Sequence, residues 1–102
     1  MLRFKSKRYK TIYVNERRYA GGRLALQLNA PDGAVAAILT VNIPECDKLL
    51  RPGEFFVKTW SENETIAKEA LASGLFVDTG RRVESGFVEA QIWRFSDDVR
   101  AE

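Results

Sequence analysis

The chain has no histidine and a single cysteine, Cys46, among its 102 residues. The first absence removes the commonest metal ligand and the commonest general base. The second excludes an internal disulfide and any zinc site built from several thiolates. Cys46 stands between Glu45 and Asp47, a negative setting that discourages a thiolate, so it reads as a small apolar filler. Phosphate-cradling glycine loops and nucleophile elbows are also missing. No uncharged run approaches the roughly 20 residues of a membrane-spanning helix. The start, Met1-Leu-Arg-Phe-Lys-Ser-Lys-Arg, is basic but lacks the apolar centre of a signal peptide. Together these absences predict a cytoplasmic, non-enzymatic protein with no cofactor, no metal and no membrane contact.

What remains is an ordinary globular composition, 45% hydrophobic and 29% charged, outside the range of disordered chains. A chain of this length buries about two-thirds of its unfolded surface, enough for a core without covalent staples. One domain is expected over residues 1–102, with its core at about 9–95 and a polar tail at 96–102.

The strongest local signal is Ser61 to Gly74, which predicts a helix over about 62–73. Ser61 and Glu64 have the spacing of a capping box, and Glu62 and Glu64 suit the positive end of the helix dipole. Glu64 and Lys68 stand four apart in the favourable order. Ile66, Ala67, Ala70 and Leu71 fall on one apolar stripe, and Gly74 suits the left-handed position after the last turn.

Strand signals flank this helix on both sides. Leu2-Arg-Phe-Lys alternates, and Ile12-Tyr-Val favours a strand. Asn15 to Arg18 reads as a polar break, and Gly21-Gly22 as a bend. Leu24, Leu26 and Leu28 alternate with polar or small residues, so one face is buried. Pro31-Asp32-Gly33 is a turn, leading into Ala34–Ile43, apolar on both faces and expected to be a central strand under the helix. Glu54 to Trp60 and Leu75 to Thr79 are further strands, Gly80-Arg81-Arg82 a turn, and Val83 to Phe95 a last strand bulged at Ser85-Gly86. The order predicts an α+β fold: a single, mostly antiparallel sheet of five to six strands with one helix packed on one face. Tyr13, Phe56, Trp60 and Trp93 are candidates for the open face, unless the loop before Pro52 covers them.

Charge is unevenly distributed. Up to Arg23 there are eight basic residues against one acid, a net +7; from Leu24 onward there are eight against thirteen, a net −5. The basic part offers Lys5, Lys7, Arg8, Lys10, Arg17 and Arg18 as nucleic-acid contacts, with Phe4, Tyr9 and Tyr13 interleaved as stacking candidates. A solvated basic strand edge that discourages aggregation explains the same pattern. The acidic part offers Glu62, Glu64, Glu69 and Asp78, with Arg81 and Arg82 at a turn tip, as contacts for a host protein or ribonucleoprotein complex. Helix capping and solubility account for much of that charge as well. Asp78-Thr79-Gly80 looks like an aspartic-protease signature, but only 22 residues follow it, too few for the structural segment such an enzyme needs. It reads as a polar hairpin end.

The segment Gly74-Leu-Phe-Val-Asp-Thr-Gly-Arg, followed by Val83, Ser85-Gly86, Val88 and Ala90, resembles a small uncharacterised family of bacterial proteins carried on plasmids, integrated elements and phages (the domain-of-unknown-function 4313 group). The resemblance covers about the last third of the chain and rests on structural turns. It implies a context: small cofactor-free proteins of mobile elements often bind and block a host defence machine, as anti-CRISPR proteins do. The expected function is therefore a non-enzymatic inhibitor that occludes a surface of such an assembly. The alternative is a nucleic-acid-binding accessory protein of the element.

Overall fold

The computed structural model describes residues 1–100, apart from the side chain of Arg100. Four strands, β1 (Arg3–Ser6), β2 (Lys10–Arg18), β3 (Leu24–Asn29) and β4 (Val35–Ile38), form an antiparallel sheet in that order. Three more, β5 (Glu54–Val57), β6 (Phe76–Ser85) and β7 (Val88–Phe95), form a second antiparallel sheet with β7 in the middle. One helix, α1 (Glu64–Ala72), packs against both β1 and β6, and a short α2 (Asp97–Arg100) ends the described chain. The α+β class is as expected, but the single sheet of five to six strands is not: there are two sheets, of four and three strands. No helix among the described residues is long and apolar enough to cross a membrane.

The sheets divide because β4 is short. Only Val35–Ile38 pairs with β3, through a register shift at Leu28/Asn29. Beyond it the backbone turns from one sheet to the other. The Leu39 N–H still donates to the Leu26 carbonyl at 2.9 Å, while the Leu39 carbonyl accepts from the Lys58 N–H at 2.9 Å. The Val41 N–H then donates to the Phe56 carbonyl at 3.1 Å, and Thr40 forms an isolated bridge to Val57. The apolar run 34–43 is therefore a seam between two sheets and not one central strand.

Two buried polar side chains stitch this seam. Thr40 Oγ1 accepts from the Leu26 N–H at 3.1 Å and lies 3.0 Å from the Tyr19 hydroxyl. Asn63, 1% exposed, donates from Nδ2 to the Ile38 carbonyl at 2.7 Å and the Lys58 carbonyl at 3.2 Å. That use of Asn63 explains why the expected capping box does not form. Ser61–Asn63 is a 3₁₀ turn, Ser61 takes φ +55°, and no side chain caps α1. Tertiary bonds to the seam fix the helix start at Glu64, outweighing the local cap. The other end follows expectation: Gly74 adopts φ +83°, and the Ser73 hydroxyl donates to the Ala70 carbonyl.

One apolar core lies between the two sheets and α1. It joins Phe4, Ile12, Val14, Leu26, Leu28 and Leu39 from the first sheet and seam to Phe55, Phe76, Trp93 and Phe95 from the second, with Ile66, Ala67 and Ala70 from α1. Its aromatic rings meet edge-on or tilted, Phe76 lying 5.1 Å from Phe95 and 6.1 Å from Phe55, an arrangement the ring quadrupoles favour. The other face of the second sheet carries a smaller core of Ile43, Phe56, Ala90 and Ile92, with Cys46, Leu50 and Trp60 packed on it. So the segment before Pro52, a 3₁₀ turn at Pro44–Leu49, does cover Phe56, and Trp93 is in the main core. Alternation along β7 places Ala90 and Ile92 on one face and Trp93 on the other, as its sequence predicts.

Three local expectations need correction. Asn15 to Arg18 is not a break but the end of β2, paired with Leu24–Gln27; Asn15 and Arg17 are on the outer face of the sheet, and Glu16 and Arg18 are exposed. Gly80-Arg81-Arg82 is a bulge inside β6, and the hairpin turn lies at Ser85–Phe87. The start of the expected tail, residues 96–99, is anchored: the Ser96 N–H donates to the Leu75 carbonyl at 2.8 Å and Val99 packs on the main core. Ala101 and Glu102 lie outside the described residues.

Asn63→Ala removes both donors while Ile38 and Lys58 keep their carbonyls. A loss of about 1–3 kcal/mol is expected from urea unfolding. Ser61→Gly relieves a positive φ without losing a cap bond, so it leaves the midpoint unchanged or raises it.

Candidate nucleic-acid interface

The acidic and Arg81-Arg82 residues read from the sequence are engaged within the chain. Glu62 pairs with Lys58 at 2.5 Å and Glu64 with Lys68 at 3.7 Å, both in exposed positions on or beside α1. Glu69 clamps the β1–β2 turn, accepting from the Ser6 hydroxyl at 3.0 Å and the Lys7 N–H at 2.7 Å. Asp78 and Arg82 form a two-pronged pair with both contacts at 2.8 Å, and Asp78 also accepts from the Gly80 N–H. Arg81, its neighbour in sequence, points elsewhere. It donates to Glu54, whose side chain is buried, and to the Leu49 carbonyl, tying β6 to the 3₁₀ turn below the second sheet.

These pairs leave a signature in the ionisation of their members. The hydrogen bond from Arg82 holds the Asp78 carboxyl below the ordinary carboxylate range, with the Gly80 N–H assisting. Arg82 is correspondingly raised, chiefly by its hydrogen bond to Asp78. Glu62 is lowered by the hydrogen bond from Lys58. The Asp78-Thr79-Gly80 sequence serves the β6 bulge: the Thr79 hydroxyl donates to the Ile92 carbonyl at 2.6 Å, and Gly80 takes φ +85°. Its carboxylate is committed to an arginine.

The basic residues are placed differently. In β1 and β2, Phe4, Ser6, Ile12 and Val14 point inward. Strand alternation therefore sends Arg3, Lys5, Tyr13, Asn15 and Arg17 to the outer face of the first sheet. The pairing Arg3↔Tyr13↔Asn29 runs straight across three strands, and Asn15↔Gln27 and Arg17↔Ala25 follow along β2. Three amides form a cluster there. Asn15 Nδ2 and Gln27 Nε2 both donate to Asn29 Oδ1, at 2.5 and 3.2 Å, and Asn29 Nδ2 donates to the Gly33 carbonyl. Lys7, Arg8 and Lys10 crown the β1–β2 turn, Arg8 lying 5.3 Å over the Tyr9 ring, and Arg18 ends β2. Among the described residues, no carboxylate pairs with Arg3, Lys5, Lys7, Arg8, Lys10, Arg17 or Arg18.

This outer face carries no hydrophobic cluster among the described residues, whereas the second sheet has one on each side. Only toward Tyr19 and Arg23 does the Pro44–Leu49 turn approach it, Arg23 pairing with Asp47 at 3.1 Å. Of the stacking candidates, Phe4 is buried in the core and Tyr9 lies half-buried beneath Arg8; Tyr13 is on the open face. The amide cluster escapes a reading of the sequence because Asn15 falls in a polar run that looks like a turn. Had the period-two alternation Thr11, Tyr13, Asn15, Arg17 been followed through, it would have been found. Among the described residues no group of three or more Cys, Asp or Glu could hold a metal ion.

Compared with protein-family models, with curated proteins and with solved structures, this chain has no match. The functional reading therefore rests on the residues themselves.

The Asp78–Arg82 pair has a pH consequence. A carboxylate lowered in the folded state adds stability above its unfolded pKa of about 3.9, and that contribution is lost as pH falls through the lower folded value. Side-chain carboxyl NMR should show Asp78 titrating below the ordinary range, and Arg82→Gln should return it toward that range.

Proposed function

We propose that the chain is a non-enzymatic nucleic-acid-binding protein that takes a single strand across the outer face of the first sheet. One observation carries this reading: the candidate acids Glu62, Glu64, Glu69 and Asp78 are engaged within the fold, while the cations of β1 and β2 have no carboxylate partner among the described residues and surround Tyr13 and an amide cluster. Unpaired lysine and arginine neutralise phosphates and release counterions. An aromatic ring on an open sheet stacks with a base, a contact every base can make. Asn29 is buried and its amide is spent within the cluster, which leaves the half-buried Asn15 and Gln27 amides, able to donate and accept, to meet base edges. A duplex offers its bases only inside grooves, and a sheet face with a single half-exposed tyrosine suits unstacked bases better.

In a mobile-element setting the same face would clamp a guide or target strand of a host defence assembly, which is the inhibitory function in its basic form. Phosphate mimicry by the acidic residues has less support, because Glu69 and Asp78 are committed to contacts within the fold.

Fluorescence anisotropy with labelled single-stranded and duplex oligonucleotides across a salt series tests the proposal. Single strands should bind more tightly. If Arg3, Lys5 and Arg17 each neutralise one phosphate, the slope of log affinity against log salt should be about −2. Tyr13→Ala should cost about 1–3 kcal/mol, the usual worth of one stacked base. Absence of binding in dilute salt, or affinity that ignores both salt and Tyr13, contradicts the proposal.

A further inference from the structure

The backbone of β1 has a second, unused side. The Val14 N–H donates to the Leu2 carbonyl, so Leu2/Val14 is a hydrogen-bonded pair, and alternation along the register makes Phe4/Ile12 and Ser6/Lys10 the next two. The N–H and C=O groups of Arg3 and Lys5 therefore point away from β2. Lys7 shows the same parity directly, since its N–H leaves the sheet to meet Glu69 of α1 at 2.7 Å. Alongside Arg3–Lys5, between the strand edge and the last turn of α1, lies a groove of about 500 Å³ lined by Arg3, Phe4, Lys5, Glu69, Ala72 and Ser73. Its helical wall is Glu69, Ala72 and Ser73, the last two small. A free strand edge beside a helix, with room between them, is the arrangement in which an extended peptide adds as a further strand.

We infer that this groove accepts an extended segment of a partner protein in which acidic and apolar residues alternate, hydrogen-bonded to the backbone of Arg3 and Lys5. The alternation follows from the pleat. Residues of the added strand directly opposite Arg3 and Lys5 project on the same outer face as those cations, where a carboxylate is favoured and a like charge disfavoured. Their neighbours project inward toward Phe4 and Ala72, where a small apolar side chain fits. Glu69 already illustrates the chemistry, because a carboxylate satisfies the next donor along this edge. The same argument disfavours a second copy of this chain: β1 against β1 would set arginine and lysine opposite arginine and lysine. The basic edge thus blocks self-pairing while selecting an acidic strand. The inference uses the edge and groove of β1 and does not depend on nucleic-acid binding at the open face.

The test uses the full chain and a fluorescein-labelled peptide of alternating glutamate and valine, with a lysine–valine peptide of equal length as its counterpart. The glutamate peptide should bind and the lysine peptide should not. Ala72→Phe, which fills the groove from an exposed helix position, should weaken binding by about tenfold or more. In the unaltered protein, the peptide should slow hydrogen exchange at the Arg3 and Lys5 amides. Equal binding of both peptides, binding that Ala72→Phe leaves intact, or no protection at Arg3 and Lys5 would each overturn the inference.

Discussion

The fold depends on a transfer of backbone hydrogen bonds at Leu39–Val41. On one side the Leu39 N–H still belongs to β3; on the other its carbonyl already belongs to the strand continuing β5. A backbone that changes partner in mid-run exposes polar groups that must find bonds in a dry place. Thr40 and Asn63 supply them, each buried and each bonded twice. Because Asn63 is also the residue before α1, the same stitch fixes where the helix begins. Two sheets and a helix are thereby held to one core.

The seam also decides which surface is left open. It bends the chain so that the second sheet lies beneath the Pro44–Leu49 turn on one side and against the main core on the other. The first sheet packs its inner face on the main core; on its outer face Arg3, Lys5 and Arg17 are exposed and Tyr13 half-buried, while Ala25 and Asn29 of β3 are buried. Opposite charges are not simply mixed over this molecule. Asp47, Glu54, Glu62, Glu64, Glu69, Asp78 and Asp97 find arginine, lysine or backbone N–H partners close by, whereas of the cations up to Arg23 only Arg23 pairs with a carboxylate among the described residues. The linear asymmetry of the sequence is thus kept in the pairing, although α1 and the 3₁₀ turn before it bring Glu69 and Glu62 beside the basic β1–β2 turn.

How much of this was legible beforehand varies with the range of the interaction. Elements set by local chemistry were readable: the α1 stripe of Ile66, Ala67 and Ala70, the Gly74 terminus, the Pro31-Asp32-Gly33 turn and the alternation of β3 and β7. Elements set by distant partners were not. Ser61 and Glu64 have the spacing of a cap, but the bonds from Asn63 to Ile38 and Lys58 span 25 and 5 residues, and nothing near Ser61 announces them. Likewise Gly80 reads as a turn, and becomes a bulge because β7 continues past it. The candidate site was half visible. Its cations were evident from composition, whereas the amide cluster needed the β2–β3 register, which depends on a turn at Gly21-Gly22 and not at Asn15.

The central claim is that both sheets share one cooperative unit through the seam. Native-state hydrogen exchange in rising denaturant tests it most directly. If the claim holds, the seam amides of Leu39 and Lys58 exchange through the same global opening as the middle strands β3 and β7, with one common free energy. If β3 opens at a distinctly lower free energy while β7 stays protected, the sheets are separable and the seam does not hold them together.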